Sequence, residues 1–295
     1  MTALAPLMDG LVDYAGLFPP AALPMDEAVH RYAGYRGGPD REMLGRFVVP
    51  ADGLSALARA RAGIARAASD VGPWPLAVLA TAADAPAIAS FEAVHGATLR
   101  VDTIEAKADD PMTIAALAAT YPEYPVYVEI ASASDPEPLI GVLAAQGLRA
   151  KLRMGGVVPE AFPAPEQVLR FLSACVRHRV PFKATAGLHH PLRGEFPLTY
   201  QPNCASGTMY GFLNVYLTAL FLYAGYSADA VRPLLEERDP DSIVTIGDDV
   251  LWRGLRLDAG CVREARQRFV GAFGSCSFEE PAQELSRMIL LPYLS

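Results

Sequence analysis

Short runs of β-branched and aliphatic residues recur along the chain, separated by Ala- and Leu-rich stretches of helical length. Six runs read as strands: residues 45–50 (GRFVVP), 75–81 (PLAVLAT), 98–104 (TLRVDTI), 125–130 (PVYVEI), 149–154 (RAKLRM) and 181–186 (PFKATA). Between them, residues 52–68, 85–95, 110–120, 136–146 and 164–179 fit helices, several opening on the Asp or Pro that starts one. Strands alternating with helices predict a parallel sheet with the helices outside it. Residues 11–17 (LVDYAGL), followed by a helix at 25–35, and a late strand at 243–246 bring the count to eight βα units, the number that closes a barrel. The expectation is one domain over residues 1–295, a (β/α)8 TIM-like barrel with an irregular closing region after strand 7. Residues 197–207 read as a long loop, and 243–252 could instead form a hairpin turning at Asp248-Asp249. A doubly wound open parallel sheet is the alternative architecture. No repeat, heptad or linker divides the chain.

Strand parity carries the pattern towards chemistry. The outer face of a barrel strand lies under helices and should be apolar. Ala150, Leu152 and Met154 then face out, which turns Lys151 and Arg153 inward. Phe182, Ala184 and Ala186 leave Lys183 and Thr185 inside; Val126, Val128 and Ile130 leave Tyr127 and Glu129. Leu99 and Val101 place Arg100 and Asp102 inside, and Val12 and Tyr14 do the same for Asp13. Ionisable groups from five strands thus converge on one interior, which is costly unless they pair or meet a polar ligand. Structural ion pairing is the plain reading; an active site at the C-terminal strand ends is the functional one.

Composition sharpens the choice. Of 25 basic residues only Lys107, Lys151 and Lys183 are lysines, and all three fall in this region. A chain that uses Arg as its general cation retains Lys where Lys chemistry differs. Hydrophobic residues make up 52% of the 295, enough for a large core, and the net charge of −8 with no basic cluster argues against a nucleic-acid partner. The most apolar stretch, 209–224, contains Asn214 and is short for a bilayer span, so no membrane partner is expected. That stretch is a candidate subunit interface for a homo-oligomer. Four widely spaced cysteines without a CxxC pair, and an N-terminus without a signal-peptide pattern, point to a reducing, cytoplasmic setting.

Several local signals have plain readings. Adjacent residues on an extended segment point opposite ways, so one of His189 and His190 is expected to be a ligand or acid–base group and the other structural. His30, His95 and His178 fall in predicted helices and read as surface or capping residues. Ser277, three residues before Glu280, reads as a capping box for the last helix, in preference to a nucleophilic Cys276. Gly155-Gly156 would let a phosphate or carboxylate approach backbone amides, and 203–207 would serve as a flap or an exposed loop. Walker, GxGxxG, HExxH and GxSxG patterns are absent from the sequence, so nucleotide, hydride and zincin chemistry lack support.

The segment Phe182-Lys183-Ala184-Thr185-Ala186-Gly187 resembles the lysine-bearing strand of class I aldolases of the deoxyribose-phosphate type, over about six residues of 295. The resemblance implies a Schiff base on Lys183. Apolar neighbours and the nearby Lys151 and Arg153 are expected to lower its pKa, whereas a close Glu129 would reverse this and make Lys183 an anion clamp. The leading expectation is a lyase- or isomerase-type enzyme for a small anionic carbonyl compound, working through a lysine Schiff base or an enolate without a cofactor. Lys151 and Arg153 would hold the anion, helped by Lys107, Arg193, Asp13 and Tyr127. Glu129 or Asp102 would act as general acid or base, with His190 as another proton carrier. One alternative is a metal-dependent hydrolase or lyase, with a divalent ion held by some of Asp102, Glu105, Glu129, His189 and His190. Another is a non-catalytic barrel that binds a metabolite.

Overall fold

A computed structural model describes residues 4–64, 72–131 and 133–290. Eight parallel strands close a barrel: β1 (Val12–Tyr14), β2 (Leu44–Pro50), β3 (Trp74–Leu79), β4 (Leu99–Lys107), β5 (Val126–Glu129), β6 (Arg149–Arg153), β7 (Phe182–Thr185) and β8 (Val270–Ser275). They neighbour one another in chain order, and β1 pairs with both β2 and β8 to complete the circle. The barrel is the (β/α)8 type, and closure rules out the open doubly wound sheet.

Helices fill the connections where the periodicity placed them: Met25–Gly37, Leu54–Ala62, Ala85–His95, Pro111–Thr120, Glu137–Gln146 and Pro165–His178. Part of the helix expected at 52–68 lies outside the described residues. Local chemistry sets the boundaries. The Asp110 carboxylate accepts from the amides of Met112 and Thr113 at the start of one helix, and Gly147, at φ 68°, ends the next. The helix Pro165–His178 buries Val168, Phe171, Leu172, Ala174 and Cys175, and the Phe171 ring packs edge-on to Phe182 of β7.

The closing region differs from expectation in three ways. Residues 243–246 form the hairpin alternative, not a barrel strand: Ile243–Ile246 and Asp249–Trp252 pair antiparallel, and Leu255–Leu257 adds a third strand. The eighth barrel strand is Val270–Ser275, with glycines where an inward side chain would stand. A Cβ on Gly271 would lie 2.8 Å from the Phe182 carbonyl oxygen and 2.9 Å from the Tyr127 hydroxyl, so that position must be empty. Finally, the apolar stretch 209–224 is no subunit interface. It supplies helix Phe212–Tyr223, whose residues from Phe212 to Leu222 are buried between helix Pro165–His178 and the chain's own later segments. Asn214 is the reason a polar residue sits there: its Nδ2 donates to the carbonyls of Leu234 (2.7 Å) and Glu237 (2.9 Å). Among the described residues, no helix is long and apolar enough to cross a membrane.

The interior is just wide enough for Asp13. Its carboxylate accepts from the Arg46 amide at 2.7 Å, in space left by Gly45. A Cβ on Gly45 would collide with that carboxylate and stand 3.0 Å from the Gly10 carbonyl oxygen. Gly45→Ala should therefore destabilise the protein by about 1–3 kcal/mol, the usual cost of overpacking, read as a lower urea midpoint at unchanged slope.

Candidate active site

A chain of alternating charges runs up the inside of the barrel. Lys183 of β7 donates to Asp13 of β1 (2.6 Å) and to Glu105 of β4. The other oxygen of Glu105 accepts from Lys151 of β6 at 3.0 Å, and Lys151 also lies 3.0 Å from Glu129 of β5. Glu129 in turn accepts from Arg153 at 3.0 Å and stands 3.6 Å from Lys107. Lys151 and Lys183 are register partners on adjacent strands, a repulsive pairing that the bridging Glu105 resolves. Asp13, Glu105, Lys151 and Lys183 are all buried.

Lys183 is inward, but its expected pKa change is reversed. Burial alone would lower the pKa; the Asp13 and Glu105 carboxylates outweigh it and hold the group above the ordinary lysine value. The residue is a locked ammonium, not a partly neutral amine. For Glu105, burial disfavours the charge, yet Lys183 and Lys151 pull its pKa down to about 2. Glu129 is likewise lowered, by Lys151 and Arg153 acting against its burial.

Above this chain, at the C-terminal ends of the strands, lies a cavity of about 630 Å³. Glu105, Lys151 and Arg153 form part of its lining, and His189, Cys276 and Glu280 another part. Residues 197–202, at the tip of the hairpin formed by Gly194–Pro197 and Ser206–Met209, also line it. The segment expected as a long loop is the connection of this hairpin, with only its ends in the two strands. His189 Nδ1 is 2.8 Å from Glu280 and its Nε2 is 3.9 Å from the Cys276 sulfur. Burial would lower the His189 pKa, but Cys276 and Glu280 raise it to about 9, so the ring is an imidazolium at neutral pH. His190 stacks on Phe196 and lies 2.9 Å from Glu284.

The residues singled out by the sequence divide among distinct places. Lys151, Arg153, His189 and His190 line the mouth. Glu129 has its carboxylate taken up by Lys151, Arg153 and Lys107, and Lys107 is an exposed rim residue. Asp13 and Lys183 are sealed beneath. Asp102 and Tyr127 sit at the opposite end of the barrel, where Asp102 pairs with Arg46 at 2.6 Å and Arg100 at 3.1 Å. Arg193 does not line the mouth; its guanidinium stacks over Tyr210 at 4.5 Å. The five residues of the metal alternative are therefore dispersed. Among the described residues, no three of His, Cys, Asp and Glu are placed to hold an ion together.

Three cavity residues escaped the sequence reading as acid–base candidates. Glu105 was hidden by a bulge in β4: Leu76 pairs with Val101 and Ala77 with Thr103, so Asp102 is skipped and the inward parity shifts to Thr103 and Glu105. The Ser277 cap forms, with its hydroxyl accepting from the Glu280 amide at 3.3 Å, but the Glu280 carboxylate turns to His189 instead of closing the box. Cys276, set aside for that cap, follows directly on β8 and enters the cavity.

The site belongs to a (β/α)8 barrel with a largely apolar cavity at the customary mouth, into which a few charged groups converge. No protein-family model matches the chain, and no curated protein matches it significantly.

Removing one member of the buried chain should expose its cost. Lys183→Met leaves Asp13 and Glu105 without the cation between them and should destabilise the fold by about 3–5 kcal/mol in denaturant titration. Because the Glu105 pKa is lowered, its contribution is complete above the unfolded value of 4.5 and is lost as pH falls towards 2. Wild-type stability should decline across that acid window.

Proposed function

We propose that the protein is an enzyme of lyase or isomerase type that forms or consumes the enolate of a small anionic carbonyl compound. The observation that carries the proposal is the pairing of an ammonium and an imidazolium in the lining of one cavity. Lys151 has three N–H donors: one goes to Glu105 (3.0 Å), the Glu129 carboxylate stands 3.0 Å away as an ion pair, and among the described residues the ammonium has no further protein acceptor. It supplies a hydrogen bond to the carbonyl oxygen that strengthens as the oxygen gains charge in the enolate. Arg153, half-exposed at the rim, clamps the carboxylate or phosphate of the substrate. His189 gives its proton to the enolate carbon, and the resulting neutral imidazole takes one from that carbon in reverse. Glu280 fixes the ring and stabilises its charged form.

Between the two routes considered from sequence, this geometry favours the enolate. A Schiff base needs a neutral amine open to substrate, and Lys183 is charged, sealed under Glu105 and absent from the cavity lining.

The test is hydrogen–deuterium exchange at the carbon beside the carbonyl, followed by NMR in D2O with a panel of 2-oxo acids and phosphorylated ketones. Wild-type protein should catalyse exchange with at least one member, and His189→Asn should slow it by about 10²–10⁴-fold. Ligands that raise the Tm without any exchange would instead support the metabolite-binding barrel and end the enzymatic reading. Exchange begins with proton removal, which requires neutral imidazole. Its rate should therefore rise with pH to about 9 and level off above it. Glu280→Gln, by removing a group that raises the His189 pKa, should move that rise to lower pH.

A further inference from the structure

A second cavity, of about 440 Å³, lies at the N-terminal end of the barrel, opposite the mouth. Five arginines line it (Arg46, Arg100, Arg149, Arg266 and Arg268) against one carboxylate, Asp102. In a chain of net charge −8 such a concentration is unexpected.

The partners of these arginines show how much of the charge is balanced. Arg46 and Arg100 share Asp102, and Arg46 is also 3.6 Å from Asp13 behind it. Arg268 pairs with Glu264 at 3.3 Å. Arg149 donates to the Tyr127 hydroxyl at 3.1 Å and stands over the same ring, contacts that orient the guanidinium without neutralising it. Arg266 donates to three backbone carbonyls, of Leu7 (3.3 Å), Asp9 (2.7 Å) and Val270 (2.7 Å). These bonds fix its fork and leave its charge. Among the described residues, neither Arg149 nor Arg266 meets a carboxylate. Gly271, which lines the same cavity, adds no side chain to its wall.

We propose that this cavity is a binding site for the phosphoryl group of a small phosphorylated metabolite, separate from the mouth. Two guanidinium groups held in place by neutral partners match the charge of one phosphate dianion, whereas a single carboxylate would balance only one of them. Holding the arginines in advance also removes much of the ordering cost of binding.

Inorganic pyrophosphate is a suitable probe, titrated calorimetrically at ionic strength fixed with KCl. The Arg153→Gln background removes the anion clamp of the mouth, so the experiment does not depend on the function proposed for that cavity. Saturable binding should persist in Arg153→Gln, and adding Arg149→Gln should weaken it at least tenfold. Binding absent from Arg153→Gln would place the anion in the mouth and overturn the proposal, as would binding that survives Arg149→Gln unchanged. A crystal soaked in tungstate gives a second reading free of any variant: anomalous density between Arg149 and Arg266 is expected, and density at the mouth alone would refute the site.

Discussion

Everything at the functional end of this barrel depends on burying Asp13, Lys183, Glu105 and Lys151 together. Each charge alone would be prohibitive in the interior, and the desolvation cost of even one ion pair rivals its attraction. The solution is alternation. Each interior carboxylate touches at least one cation, and the like-charged neighbours Lys151 and Lys183 are joined by a carboxylate between them. The neutral forms of Glu105 and Lys183 are thereby disfavoured: burial opposes the charge on both, and the partners override it in each case.

That constraint shapes the chemistry open to the mouth. The chain delivers one ammonium, Lys151, to the cavity lining with a donor to spare, braced from below and beside by Glu105 and Glu129. A braced ammonium polarises a carbonyl well and attacks it poorly. Another charged group in the lining, His189, owes its elevated pKa to Cys276 and Glu280 and not to the axial chain. In the proposed reaction the electrophilic and proton-transferring roles thus rest on separate supports.

How much of this could be read from the sequence follows from the range of the interactions involved. Period-2 alternation is local, so the inward turn of Lys151, Lys183 and Asp13 was readable from their apolar neighbours. The barrel class was readable from the alternation of strands and helices, although the eighth unit counted, residues 243–246, is a hairpin strand and not the one that closes the barrel. The partner of Lys183 was not: Asp13 is 170 positions away in the chain. Parity failed at β4, where one bulged residue moves Glu105 to the inside, and β8 escaped because Gly271 and Gly274 lack the side chains that mark a strand. Around Cys276 the local signal was half right, since the Ser277 cap forms while the Glu280 side chain is claimed by a residue 91 positions earlier.

The central claim is that Lys183 is a permanently charged element of a buried chain. Because the chain has only three lysines, Lys107, Lys151 and Lys183, uniform labelling of the lysine ε-carbon yields three signals assignable by single substitutions. A pH titration of those signals by NMR measures the ionisation of Lys183 directly. It should remain in the ammonium position past the ordinary lysine range, to the alkaline limit of the fold. A Lys183 signal that titrates near pH 7 would contradict the account.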